Sequence, residues 1–240
     1  MKPSMRILLL ALALVLAPVL GAANAQNSPA AERVFERARA ATGGRGWNAL
    51  RGLHETGVEE GRRYQRWADP LRYGLRRETE TPEGRLVQGY NGVAEWRILP
   101  NGAQTGSVER SVVARLRSDA FFGAWAFYFP SRFDLRSTHL GVRKDRGRDF
   151  DVVRVQPAGG QPRELWFDRK TGLLSLMVIE DAAGRTTVEA SDYRRVGPVK
   201  LPFKWVTSAP GQARTVERRI EKADFIPLDR ALFSLPRAGR

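Results

Sequence analysis

Side chains able to do covalent chemistry are few in this 240-residue chain, which has no cysteine and only two histidines, His54 and His139. The missing thiol removes a disulfide framework, a thiolate metal site, a cysteine nucleophile and a lipid-modified cysteine. His54 adjoins Glu55 in a segment that reads as the first strand, where neighbouring side chains face opposite sides and cannot act together. His139, within Ser137-Thr138-His139-Leu140, has no companion close by in sequence. Asp149 and Asp151 would share a strand face about 6.5 to 7 Å apart, a separation that two glycosidase carboxylates could use. They follow a basic turn, however, and Arg146 and Arg148 are placed to neutralise them. Glu180 and Asp181 open a hairpin. The chain has no Gly-x-Ser-x-Gly elbow, no His-Glu-x-x-His helix and no phosphate-cradling Gly-x-x-x-x-Gly-Lys-Ser/Thr loop. These residues assign no catalytic group, no metal ligand and no cofactor, and they leave non-covalent binding as the chemistry to look for.

Large apolar side chains supply the material for that. Phe121 to Phe129 hold six of the chain's aromatic residues (6 Trp, 5 Tyr and 11 Phe in all) within nine positions. Most of these rings are expected to fill a core and a subset to line a cavity. The strand expected over Leu173 to Ile179 has apolar residues at both parities, Leu173, Met177 and Ile179 against Leu174, Leu176 and Val178. Leu165 and Phe167 likewise oppose Trp166, while Leu201, Phe203 and Trp205 alternate with Lys200, Pro202 and Lys204. An antiparallel strand normally has one dry face, so these strands need cover on both. Helices can cover one side and a sheet curling over itself the other, which either fills the interior or leaves room for an apolar ligand. The candidate ligand-binding residues are Trp96, Phe121, Phe122, Trp125, Trp166, Met177 and Trp205.

The elements that position them are legible from period and turn chemistry. Ser28 can cap a helix with Pro29 in its first turn and Ala31, Val34, Phe35, Ala38 and Ala41 on one stripe, ended by Gly43-Gly44. Leu71, Tyr73 and Leu75 then alternate with Arg72, Gly74 and Arg76 as in a strand with one wet face. Turn signals recur at Asp69-Pro70, Pro82 to Gly84, Asn91-Gly92, Pro100 to Gly102, Gly159-Gly160, Asp168 to Gly172, Ala183-Gly184 and Pro210-Gly211. Many short strands so separated predict an antiparallel meander. Val108, Val112, Val113 and Leu116 recur at helical spacing within it, and Pro130 closes that region.

The formal charge of +14 comes from 40 basic and 26 acidic residues. Lys2 and Arg6, the apolar run Ile7 to Leu20, and Ala23-Asn24-Ala25 read as a cleavable signal peptide over residues 1–25. The run is too short for a membrane span, which needs about 20 residues. The chain is thus expected to be exported to the periplasm as one domain over 26–240, with no transmembrane segment after signal removal. In an envelope compartment a basic surplus faces anionic lipid rather than nucleic acid, although scattered surface charge also serves solubility alone. The densest cluster, Arg143, Lys144, Arg146 and Arg148 around Gly147, reads as a turn between strands.

Phe167-Asp168-Arg169-Lys170-Thr171-Gly172-Leu173-Leu174, Ser191-Asp192-Tyr193-Arg194 with Gly197 and Leu201-Pro202, and Leu228-Asp229 with Leu232-Phe233 and Leu235-Pro236 resemble the outer-membrane lipoprotein-sorting (periplasmic lipoprotein carrier, LolA/LolB-like) superfamily. The helix ending in Gly43-Gly44, followed by Trp47 and Leu50, fits the same pattern. The resemblance implies a mainly β (α+β) fold in which a strongly curved antiparallel sheet forms an incomplete half-barrel with helices as lid or plug. It further implies an apolar cavity that takes a lipid or lipoprotein acyl chain, and no catalysis. The absent cysteine matches the soluble carrier rather than the lipid-anchored acceptor. Two other readings are an envelope interaction protein with a packed core and a basic docking surface, and an exported hydrolase.

Overall fold

The computed structural model describes residues 27–49, 51–69 and 72–236. The expected signal peptide, Leu50, Pro70 and Leu71 lie outside the described residues. Helix α1 (Pro29–Thr42) begins where its sequence directs, with the Ser28 hydroxyl accepting from the Ala31 N–H at 3.2 Å. Its buried stripe of Ala31, Val34, Phe35 and Ala38 faces the main core. A 3-10 segment over Gly44–Ala49 buries Trp47. Strands β1 (Gly52–Glu59), β2 (Arg62–Ala68), β3 (Leu75–Thr81), β4 (Gly84–Tyr90), β5 (Glu95–Ile98) and β6 (Gln104–Ser107) follow. After α2 (Arg110–Gly123) come β7 (Leu135–Asp145), β8 (Arg148–Pro157), β9 (Arg163–Asp168), β10 (Leu174–Asp181), β11 (Gly184–Val196), β12 (Val199–Ser208) and β13 (Val216–Ile226).

Among the described residues these strands form one curved antiparallel sheet in the order β6-β5-β4-β3-β2-β1-β13-β12-β11-β10-β9-β8-β7. β1 to β6 step outward from the middle of the sheet. β7 starts again at the opposite edge, and β7 to β13 step back until Gly52 of β1 lies opposite Ile226 of β13. β6 and β7 do not pair, so the barrel stays open. Every link between consecutive strands joins neighbours except the one from β6 to β7, which must travel the full width of the sheet. That link contains α2 and the aromatic run, and it lies across the inner face.

The meander and the incomplete barrel agree with the sequence. Three local expectations need correction. Of the strand expected from the alternation Leu71-Tyr73-Leu75, the described part before Leu75 is not extended: Tyr73 sits in the left-handed region (φ 59°), the Asp69 N–H donates to the Gly74 carbonyl at 2.8 Å, and β3 starts at Leu75. Val108 is outside α2 and 78% exposed, because the Glu109 carboxylate accepts from the Ser111 and Val112 N–H groups and caps the helix there. The helix instead runs on through Phe121 and Phe122. In β10 a bulge between Leu174 and Leu176 breaks the parity expected for this stretch. Leu174 therefore joins Met177 in the main core, while Leu176 and Val178 face a second, smaller core.

That smaller core answers the need for cover on both faces. Phe150, Val152, Trp166 and Val178 gather on the outer side of β8 to β10, with Leu140 against them. Arg143 lies over the Trp166 ring at 5.6 Å and Arg148 over Phe150 at 5.0 Å. At the β7–β8 turn Arg146 reaches Glu189 of β11 at 3.1 Å. On the inner side Leu165 and Phe167 pack with Phe35 and Phe127, the ring centroids of Phe35 and Phe167 lying 6.1 Å apart.

Candidate functional site

Between α2 and the inner face of the sheet lies a cavity of about 520 Å³, within the range of roughly 300 to 1,000 Å³ usual for small-molecule sites. Its two halves differ. Leu201 and Trp205 of β12, Val188 of β11, and Met177 and Ile179 of β10 make an apolar wall. The wall built by β1, β2, β3, β5 and β13 carries Glu55, Glu59, Arg66, Arg77, Glu95, Arg97 and Arg218. Arg115 and Asp119 come from α2 and Arg163 from β9. Among the described residues six arginines and four carboxylates thus line the space, a surplus of two positive charges.

The centre of the charged wall is Glu55, 3% exposed. Its carboxylate faces Arg66 at 3.3 Å and Arg218 at 3.5 Å, and it accepts from the Tyr64 hydroxyl at 3.5 Å. Burial would raise the Glu55 pKa, but the charges of Arg66, Arg218 and Arg77 outweigh it and hold the carboxyl below its usual range. Burial alone would lower the Arg218 pKa; Glu55, Tyr64 and Glu59 reverse that and keep the guanidinium charged. Burial, with the Glu55 charge second, pushes the Tyr64 hydroxyl up, so it remains a donor. Arg77 pairs with Glu59, and Arg97 with Glu95 at 2.5 Å. Gly123, the last residue of α2, has no Cβ; one built there would stand 1.9 Å from Arg66 Nη2, so a larger residue would push the guanidinium off the helix end.

On the α2 side Asp119 pairs with Arg163 and, at 3.4 Å, with Arg115. Arg163 also lies over the Phe122 ring at 4.7 Å and donates to Met177 Sδ at 3.4 Å, while its Nε has no partner among the described residues. Trp125 adopts a left-handed backbone (φ 57°) between α2 and the 3-10 turn Ala126–Tyr128, which aims its indole toward Trp205 at 6.2 Å. Arg218 covers Trp205 at 5.3 Å, at the seam between charged and apolar halves, and the Trp205 indole N–H has no partner among the described residues.

Of the seven residues singled out from sequence, Phe122, Trp125, Met177 and Trp205 come together at this cavity. The other three lie elsewhere. Phe121 is fully buried among Tyr73, Phe122 and Phe133. Trp166 belongs to the small outer core. Trp96 points to the outer face opposite its neighbours Glu95 and Arg97, lies over Gly89, and donates its indole N–H to the Phe233 carbonyl at 2.7 Å. It ends a row across the outer face in which His54 stacks on Trp67 at 4.8 Å and Arg76 lies between Trp67 and Trp96. His54 and Glu55 do face opposite sides.

The carboxylates near the basic turn are also rearranged. Asp149 faces Lys144 at 3.9 Å, whereas Asp151 is buried and takes none of its partners from Arg146 or Arg148. It pairs with Arg37 of α1, with Arg169 at 3.5 Å and with His139 Nε2 at 3.1 Å. His139 therefore has the companion that its sequence neighbours did not supply. Ser28 Oγ accepts from the His139 backbone N–H at 3.2 Å and the Ser28 N–H donates to Ser137 O at 2.9 Å, so the cluster fastens α1 to β7 and β8.

No family model and no curated protein matches the chain. Solved structures do. A DUF1329 family protein from Desulfovibrio piger is 12% identical over 87% of this chain and 98% of that one, with a TM-score of 0.60. A LolA superfamily protein from Nitrosomonas europaea is 13% identical over 85% and 97%, with a TM-score of 0.57. A putative outer membrane lipoprotein-sorting protein domain from Vibrio parahaemolyticus is 13% identical over 81% and 91%, with a TM-score of 0.56. Among the described residues no helix is long and apolar enough to cross a membrane. The open, helix-crossed sheet of this chain shares its fold with that LolA superfamily protein and with that putative lipoprotein-sorting domain.

Proposed function

We infer that this chain is a soluble periplasmic carrier or sensor that binds a lipid or lipoprotein acyl chain without covalent chemistry. The observation that carries this reading is the cavity of about 520 Å³ whose one wall is Leu201, Trp205, Val188, Met177 and Ile179. Each methylene moved from water onto such a wall contributes about 0.8 kcal/mol, which is enough for an acyl chain to bind without a bond being made. The fold shared with a putative lipoprotein-sorting domain supports the same assignment. Phe122, Trp125, Met177 and Trp205 are the contacts proposed for the chain. The basic residues suit an anionic envelope lipid, and the apolar run at the amino terminus suits export.

Protein purified from its native envelope and extracted with organic solvent should release a lipid identifiable by mass spectrometry. The delipidated protein should then bind a fluorescent acyl probe. Absence of both would leave an envelope interaction protein acting through its basic surface.

A further inference from the structure

The cavity bears on which amphiphile it takes, an inference that rests on the acyl-binding reading above. At ~30 Å³ per non-hydrogen atom, the share a water molecule has in the liquid, about 520 Å³ holds roughly 17 such atoms. That is one chain of about sixteen carbons and not the three of a triacylated anchor. The polar and apolar halves sit side by side, so a ligand spanning both needs one polar end and one apolar tail. The sign of the polar end follows from the charges on that wall. Around Glu55, the three guanidiniums of Arg66, Arg77 and Arg218 face two carboxylates, Glu55 and Glu59. Glu55 is already ionised and is shared by two arginines, so one positive charge there is uncompensated. Arg66 and Arg218 have side chains only 9% and 21% exposed, and a charge so shielded from water interacts strongly with an anion. Arg218 lies over the Trp205 ring, which itself lines the apolar half, so the two halves meet there.

We propose that the cavity selects a single-chain amphiphile carrying one anionic oxygen head group, with the head between Arg66 and Arg218 beside Glu55 and the tail over Trp205 toward Val188, Met177 and Ile179. Glu55 competes with the ligand for the same two guanidiniums and so tempers its affinity.

The test is equilibrium dialysis of delipidated protein against four ligands below their micellar concentrations: hexadecanoate, hexadecanol, hexadecyl phosphate and a tripalmitoylated lipopeptide. Hexadecanoate or hexadecyl phosphate should bind about tenfold tighter than hexadecanol, as expected for one added charge-assisted contact, and the tighter of the two identifies the head. Arg218→Gln should abolish the preference, bringing hexadecanoate to the level at which the same variant binds hexadecanol. Because that variant also leaves a buried carboxylate short of a partner, Glu55→Gln is the second arm. It frees both guanidiniums and should tighten hexadecanoate several-fold, which a damaged fold cannot do. Equal binding of hexadecanol and both anions, or no gain in Glu55→Gln, overturns the head-group assignment while leaving the acyl cavity standing. Preference for the tripalmitoylated peptide overturns the single-chain capacity. Failure of all four ligands overturns the carrier reading itself.

Discussion

Replacing Val188 by Trp separates an open cavity from a packed interior. Val188 is partly buried, lies between Met177 of β10 and Thr207 of β12, and turns its side chain into the cavity. Tryptophan exceeds valine by about seven non-hydrogen atoms, which at ~30 Å³ each would take up roughly 200 Å³ of the 520 Å³ present. If that volume is free in the absence of ligand, the indole gains contacts with Met177 and Trp205 and stability changes by less than about 1 kcal/mol. An acyl chain then loses room. The lost volume corresponds to about seven ligand atoms at ~30 Å³ each, and excluding even three of them as methylenes forfeits about 2.4 kcal/mol at ~0.8 kcal/mol each, a weakening of about fifty-fold or more. Urea denaturation and dialysis against hexadecanoate on the same preparation read both quantities. Destabilisation of about 2 kcal/mol or more would mean that the space does not exist as described, because overpacking a filled core costs about 1 to 3 kcal/mol. Full stability with undiminished binding would place the ligand somewhere else.

Three further outcomes follow from the geometry. The folded Glu55 pKa is depressed, so the stability it contributes is present above its unfolded value of about 4.3 and is lost as pH falls through the lower folded value. Urea midpoints should therefore decline in that acid range, and Glu55→Gln should flatten part of the decline; identical acid profiles would refute the link. Asp151→Asn removes the charge that holds Arg37, Arg169 and His139 together, and should cost about 1 to 3 kcal/mol. Hydrogen exchange in Pro29–Thr42 should quicken, and unchanged protection there would show that apolar packing alone docks α1. Gly89→Ala places a methyl 2.1 Å from the Trp96 ring and should cost roughly 1 to 3 kcal/mol. It should also expose the 3-10 segment at Arg230–Phe233 to proteolysis, because Trp96 donates to the Phe233 carbonyl; resistance equal to wild type would contradict that coupling.

Much of the sheet is written locally in the sequence. Two-residue turns such as Ala182-Ala183, closed by Gly184, set the hairpins, and alternation at Leu165-Trp166-Phe167 separates two cores that lie on opposite faces. The exceptions are places where a single backbone irregularity overrides alternation. A left-handed Tyr73 interrupts an apparent strand, and the bulge at Leu174–Leu176 moves Leu174 to the other face. Neither residue type announces such a conformation, since glycine stands one place later at Gly74 and two places earlier at Gly172.

The site was legible only on its apolar side. Aromatic density directed attention to Phe122 and Trp125, and strand alternation to Trp205, but neither signal tells a cavity wall from a packed core: Phe121 in the same run and Trp166 on a similar strand do not reach the cavity. The charged wall was concealed by the number of arginines, although its own signal is a matter of parity. Glu55 stands two residues from Leu53, Arg66 two from Ala68, Arg77 two from Leu75, and Arg218 two from Ile220. In each strand the charge occupies the same face as a residue that points inward. A charged group on the inner face of one strand is a surface exception; the same substitution on β1, β2, β3 and β13, which are adjacent in the sheet, builds a polar wall inside a barrel. Burying so many charges is costly unless each is paired or serves a ligand. The three guanidiniums gathered on two carboxylates around Glu55 are not fully paired with one another, and that residual charge is what a small anionic head group would complete.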